Sequence, residues 1–151
     1  MWRKFLYLLF GMLVAGVFLL WLSKSTWLPE WNAKLSEQAQ TFRSEGLQLG
    51  QQHDQAFCLA ESLQRFNQCS GFACTVNHGI LLKACLQEAA PTPGFCDQVP
   101  AFNDTPSEDD KSWARDYCWQ RDVRGDGCKL LMRQQQYFCS GMNDELPDSK
   151  Y

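Results

Sequence analysis

The chain has 151 residues, of which 45% are hydrophobic and eight are cysteines, with a formal net charge of −3 at neutral pH. That length normally makes one domain, and an acidic balance disfavours nucleic-acid binding, which needs a basic stripe to neutralise phosphates. Nor is there a basic face to hold the chain on anionic lipid.

Residues 5–22, FLYLLFGMLVAGVFLLWL, form an uncharged apolar run of eighteen residues. As a helix rising about 1.5 Å per residue, the run nearly spans a hydrocarbon core of roughly 30 Å, so a single transmembrane helix is expected there. Arg3 and Lys4 precede it directly and predict that residues 1–4 stay in the cytoplasm while the rest crosses. A cleaved signal peptide has the same basic start but a shorter apolar core, of about 7–15 residues, and small residues before the cut. Ser23–Ser25 is the candidate cleavage site. The length of the run, the bulky Trp21 and Leu22 beside that site, and the interfacial string Trp21, Trp27 and Trp31 favour an uncleaved anchor. The first cysteine is Cys58, so there is no lipobox. Gly11 and Ala15 form a small-xxx-small pair suited to helix dimerisation.

Residues 23–29 read as a juxtamembrane linker. A long amphipathic helix is predicted from about Pro29 to Gln68, with Trp31, Leu35, Ala39, Phe42, Gly46, Leu49, His53, Ala56, Ala60 and Leu63 on its apolar stripe. A break near Gly46–Gln51 is the second choice, because glycine disfavours a helix interior. This helix and the transmembrane helix are the expected seams of any homodimer. SGFA (70–73) is a turn, and a second helix runs from about Cys74 to Ala89, stopping before the APTPG breaker. TPSE predicts a third helix with Thr105 as N-cap, Pro106 in the first position and Glu108 completing a capping box, running to about Val123. RGDG (124–127) is a turn, a fourth helix covers Cys128–Cys139, and Gly141 is its C-terminal cap. The expected organisation is all-α: an N-terminal transmembrane helix, then a disulfide-stapled bundle of two helical hairpins over 30–141, then a flexible acidic tail over 142–151.

All eight cysteines lie beyond the apolar run, on the side where thiols oxidise and persist as disulfides. Without Arg3 and Lys4 that part carries 12 basic against 17 acidic side chains, a net of −5. Cys58, Cys69, Cys74 and Cys85 are spaced by eleven, five and eleven residues. Residues eleven apart on one helix share a face but sit roughly 16 Å apart, whereas a disulfide needs Cα atoms about 4.4–6.8 Å apart. Cys58–Cys69, Cys74–Cys85 and Cys128–Cys139 are thereby excluded. Antiparallel helices set Cys69 opposite Cys74 near the turn and Cys58 opposite Cys85 at the open end. The same logic sets Cys118 opposite Cys128 and leaves Cys96 for Cys139. The Cys58–Cys85 stretch resembles, in spacing, the twin Cx9C hairpins of the mitochondrial intermembrane space, in which two helices are joined by an inner and an outer disulfide. Here ten residues separate the cysteines of each helix, and the anchor and the second cysteine group depart from that pattern.

Catalytic patterns are not apparent. No CxxC supports a thiol–disulfide oxidoreductase, and the two histidines, His53 and His78, lack a GxSxG or a compact acid partner. Cys69, Cys74 and His78 have partial zinc-ligand character, yet in an oxidising compartment a disulfide takes those thiols first. His78 falls on the face toward the first helix and reads as a core histidine. The acids at 104 and 108–110 lack the EF-hand order and suit a helix N-terminus. No metal, cofactor or catalytic residue is therefore expected. Trp113, Arg115 and Trp119 on the third helix, with Phe95 and Phe102 in the loop 91–104, are the candidate contact surface, within which the i,i+4 pair Trp113 and Tyr117 reads as core and Trp119 as exposed. The expectation is a non-enzymatic interaction or scaffold protein of an envelope assembly. It would be anchored by one span in a bacterial inner membrane, N-in, with its domain in the periplasm and a protein partner there. The bacterial membrane is preferred because the N-terminus lacks an Arg- and Ser-rich transit stretch. The alternatives are a disulfide-rich inhibitor or effector secreted after signal-peptide cleavage, or a domain facing the mitochondrial intermembrane space.

Overall fold

The computed structural model describes residues 2–141, including all side chains in that range except those at 2, 5 and 22–28. The tail expected over 142–151 lies outside the described residues. Helix α1 spans Trp2–Gln52, α2 Gln55–Asn67, α3 Phe72–Glu88, α4 Glu108–Gln120 and α5 Asp126–Cys139. Among the described residues no strand forms, and one isolated bridge pairs Asp54 with Ala90. The chain divides into two compact units, Met1–Gln38 and Ala39–Tyr151.

The first unit is helical throughout its described length. The linker expected over 23–29 is part of α1, which continues through Pro29 even though proline supplies no N–H for the helical ladder. From Leu6 to Trp21 the large apolar side chains are exposed, Leu8 at 67%, Phe10 at 68% and Leu20 at 66%. Among the described residues no helix is long and apolar enough to cross a membrane. Of the run 5–22, side chains are described for 6–21, and its two end residues lie outside that set. Trp31 and Leu35, expected on a buried stripe, are 57% and 46% exposed.

The second unit holds the core. The expected single helix to Gln68 is broken at His53–Asp54, two residues beyond the glycine-rich stretch suggested as the break. Asp54 accounts for the position: its Oδ1 accepts from the Phe57 N–H at 2.8 Å and caps α2. The backbone groups freed by the break pair with the chain leaving α3. Gln55 N–H donates to the Ala90 carbonyl and Ala90 N–H to the His53 carbonyl, each at 3.1 Å. The Gln55 side chain accepts from Thr92 N–H, and Thr92 Oγ1 from Ala56 N–H. The break also resets the helical phase. Ala56 and Ala60 face solvent; Leu63 is buried as expected, joined by Cys58, Leu59, Ser62 and Phe66.

α2 and α3 form one hairpin and α4 and α5 the other, with α5 also packing on α2 and α3. The shared core contains Cys58, Leu63, Leu82, Cys85, Cys128, Leu131 and Met132, all at most 2% exposed. Each buried leucine contributes about 1.5–3 kcal/mol. Gly127 at the start of α5 lies directly against Phe66 of α2 and Thr75 of α3, which locks the second hairpin onto the first. The end of α1 packs on α3 through glycines. A Cβ at Gly46 would sit 2.5 Å from the Leu81 carbonyl oxygen and 2.8 Å from Ala84 Cβ, and Gly50 is as closely opposed to Cys85 and Glu88.

α4 starts at Glu108, and its N-cap is Ser107 rather than Thr105. Asp110 completes the box: Ser107 Oγ accepts from Asp110 N–H at 3.1 Å, and Asp110 Oδ2 accepts from Ser107 N–H at 2.8 Å. Two capping boxes overlap in TPSEDD, and the structure uses the one that also buries Asp110 beside Gln136 of α5.

Candidate functional site

Four disulfides staple the second unit: Cys58–Cys85, Cys69–Cys74, Cys96–Cys139 and Cys118–Cys128, with Cα separations of 5.7, 6.1, 5.4 and 6.2 Å. No free cysteine remains. Such a set suits an oxidising compartment, such as a secreted or periplasmic one. Cys58–Cys85 closes the open end of the α2–α3 hairpin, and both cysteines are fully buried. Cys69–Cys74 crosses its turn, with Cys69 exposed and Cys74 buried.

The turn is built so that these two sulfurs converge. After α2, Gln68 N–H donates to the Arg65 carbonyl at 3.1 Å and Cys69 N–H to the Phe66 carbonyl at 3.2 Å. Gly71, at φ +93°, then turns the chain into α3 in a conformation other residues rarely adopt. Cys74 therefore sits in the first turn of α3, and its sulfur lies 3.7 Å from the Phe66 carbonyl oxygen, close to the 3.6 Å of Cys69. One turn on, His78 shares the face of Cys74. Cys69, Cys74 and His78 each bring a sulfur or ring nitrogen to within 4.8 Å of the others. His78 is 8% exposed, its ring packs edge-on against Phe42 of α1 at 5.5 Å, and its Nδ1 has no hydrogen-bond partner.

Charge around the histidine is arranged by Arg65, which ties α2 to itself and to α1 through Glu61 and Glu45, both at 2.6 Å. Hydrogen bonds to these two carboxylates hold the guanidinium above its ordinary pKa. Burial, and then the Arg65 cation, push the His78 imidazole below its usual value, with Glu45 acting in the opposite sense. At neutral pH the ring is uncharged, the form that donates an electron pair to a metal. His53 is half-buried at the α1–α2 break and stacks on Phe57 at 3.7 Å.

The five residues expected to form a contact surface are divided by the fold. Phe95 packs edge-on against Phe138, and Trp113 lies against Tyr117; both border the core. Phe102 is half-buried between Tyr137 and the Arg133 guanidinium, 4.7 Å from its ring. Trp119, 63% exposed, and Arg115 remain on the outside. They flank a shallow pocket of about 210 Å³ completed by Cys118, Val123, Gly125, Asp126 and Lys129. Its cations are already paired, Arg115 with Asp116 and Lys129 with Asp126. Sequence reasoning missed Arg124, which stacks over Trp119 at 5.3 Å. Its place in the RGDG turn gave no periodicity by which to orient it.

No family model, curated protein or solved structure matches the chain.

Proposed function

We propose that the chain is a non-enzymatic, membrane-anchored interaction protein, with its stapled helical domain displayed in the periplasm of a bacterial envelope. The observation that carries the reading is the exposed apolar helix. Between Leu6 and Trp21 the large side chains stand 51–74% exposed, and a contiguous apolar surface of that kind marks an interaction with membrane or protein. The sequence places Arg3 and Lys4 immediately before it, which supports an N-in orientation. The four disulfides support a domain on the oxidising side. Trp119 with Arg124 and Arg115 beside it is the favoured point of contact for a protein partner, since exposed aromatic and arginine side chains dominate interface energetics.

The test is topology. A reporter that is active only after export, fused after residue 141, is expected to be active, with the fusion retained in membranes washed at alkaline pH. An inactive reporter would overturn the orientation. An active reporter released by the wash would favour the secreted inhibitor or effector. Proximity crosslinking from native membranes, compared between the wild-type chain and Trp119→Ala, then tests the contact surface, with loss of a discrete adduct expected in the variant.

A further inference from the structure

The four bridges differ in what their opening exposes. Cys58, Cys85, Cys118 and Cys128 are at most 2% exposed, so those two bridges are sealed in the core. Cys69–Cys74 and Cys96–Cys139 each have one cysteine at the surface, and of the two Cys69–Cys74 closes by far the shorter loop, a sequence separation of 5 against 43. Because a disulfide stabilises in proportion to the logarithm of the loop it closes, its opening costs the fold least. Cys58–Cys85 still joins the same two helices when it opens.

What the opened bridge would leave is a ligand set. Both sulfurs and a ring nitrogen of His78 lie within 4.8 Å of one another. His78 is more than nine-tenths buried, and its Nδ1 has no partner, an arrangement that is costly in a folded protein and calls for an explanation. Tetrahedral zinc, with Zn–S near 2.3 Å and Zn–N near 2.0–2.1 Å, sets its ligand atoms roughly 3.5–3.8 Å apart. Separating two bonded sulfurs to that distance needs only side-chain rotation. The neighbouring Arg65 is paired with Glu45 and Glu61, both at 2.6 Å, which offsets part of its charge beside the site.

We infer that Cys69–Cys74 is a reducible bridge whose opened form, together with His78, is a three-ligand site for a thiophilic divalent cation of the zinc class. The inference goes beyond the proposed interaction role and stands on the first hairpin alone. The reductant is a dithiol or a phosphine, whose two electrons break the Cys69–Cys74 bond: the dithiol hands its two protons to the sulfurs and leaves as a disulfide, whereas the phosphine leaves as its oxide, one water supplying the oxygen and the two protons. Metal binding then releases those two protons as the thiols become thiolates. The fourth position stays open to water.

The full chain in detergent, treated with a stepwise excess of phosphine, is expected to yield its first alkylatable thiols at Cys69 and Cys74, with the other three bridges intact by peptide mapping. After the phosphine is removed without air, Co2+ alone serves as the probe. One equivalent per chain is expected to produce a thiolate-to-cobalt charge-transfer band, displaced by Zn2+. His78→Ala is expected to weaken binding by more than the roughly 10–100-fold that loss of a merely supporting contact causes; should that variant fail to fold, His78→Gln gives the same reading. First opening at another bridge, no band at one equivalent, or unchanged affinity without the imidazole would each overturn the inference.

Discussion

At the scale of single residues, the glycines show how a side chain's absence shapes the fold. Gly46 is opposed by the Leu81 carbonyl oxygen and Ala84, atoms of a helix that cannot step aside. Gly46→Ala is therefore expected to destabilise the domain by about 1–3 kcal/mol through overpacking, even though alanine favours a helix by about 1 kcal/mol. Gly79, inside α3, has nothing within 4 Å of where its Cβ would stand. There the helical preference acts alone, and Gly79→Ala is expected to raise the melting temperature. Thermal unfolding of the two variants thus gives opposite signs from one substitution. His78 supplies the pH-dependent counterpart. Its folded pKa is lowered, first by burial, so the unfolded chain takes up the proton more readily. The stability involved is complete above the ordinary value of 6.5 and is lost as pH falls from there through the folded pKa. Denaturant midpoints measured across that window are expected to fall less steeply for His78→Gln than for the wild-type chain.

At the scale of elements, the caps decide where helices begin, and they separate what the sequence disclosed from what it withheld. The hairpins were legible because cysteines spaced by eleven and five residues leave few pairings that helix geometry permits. The apolar spacing reads as one helix through to Gln68, with a break at Gly46–Gln51 only as the second choice, because glycine marks a weakness in a helix whereas a capping side chain marks a start. Asp54, directly after His53, carried that signal, and reading the helix as continuous puts Ala56 and Ala60 on a core face they do not occupy. In TPSEDD two overlapping boxes satisfy the same local rule. The choice between them depended on Asp110 reaching Gln136 of α5, a tertiary contact that local pattern does not encode. The aromatics of α4 were legible from spacing: Trp113 and Tyr117, i,i+4, border the core, and Trp119, off that face, is exposed. The cap assignment has a direct test. Ser107→Ala is expected to cost about 0.5–2 kcal/mol, whereas Thr105→Ala, outside the box, should leave the melting temperature nearly unchanged.

At the scale of the whole molecule, the domain combines a modest core with staples of unequal worth. The chain-entropy relation makes the Cys58–Cys85 bridge about 1.5 kcal/mol more stabilising than Cys69–Cys74, from their loop lengths. Paired Cys→Ala variants, compared by denaturant unfolding, are expected to fall in that order. This inequality lets the turn bridge open while the hairpin holds. In the function we propose, the apolar helix that precedes this domain stays on the chain and holds the stapled domain to the membrane, on the oxidising side. The most direct test is the intact mass of the protein recovered, unreduced, from membranes washed at alkaline pH. The account predicts the mass of all 151 residues, lighter by the eight hydrogens lost in four disulfides. A mass lacking about 25 residues, the length removed by cleavage at the signal-peptide site, with the protein found in the wash, would contradict it.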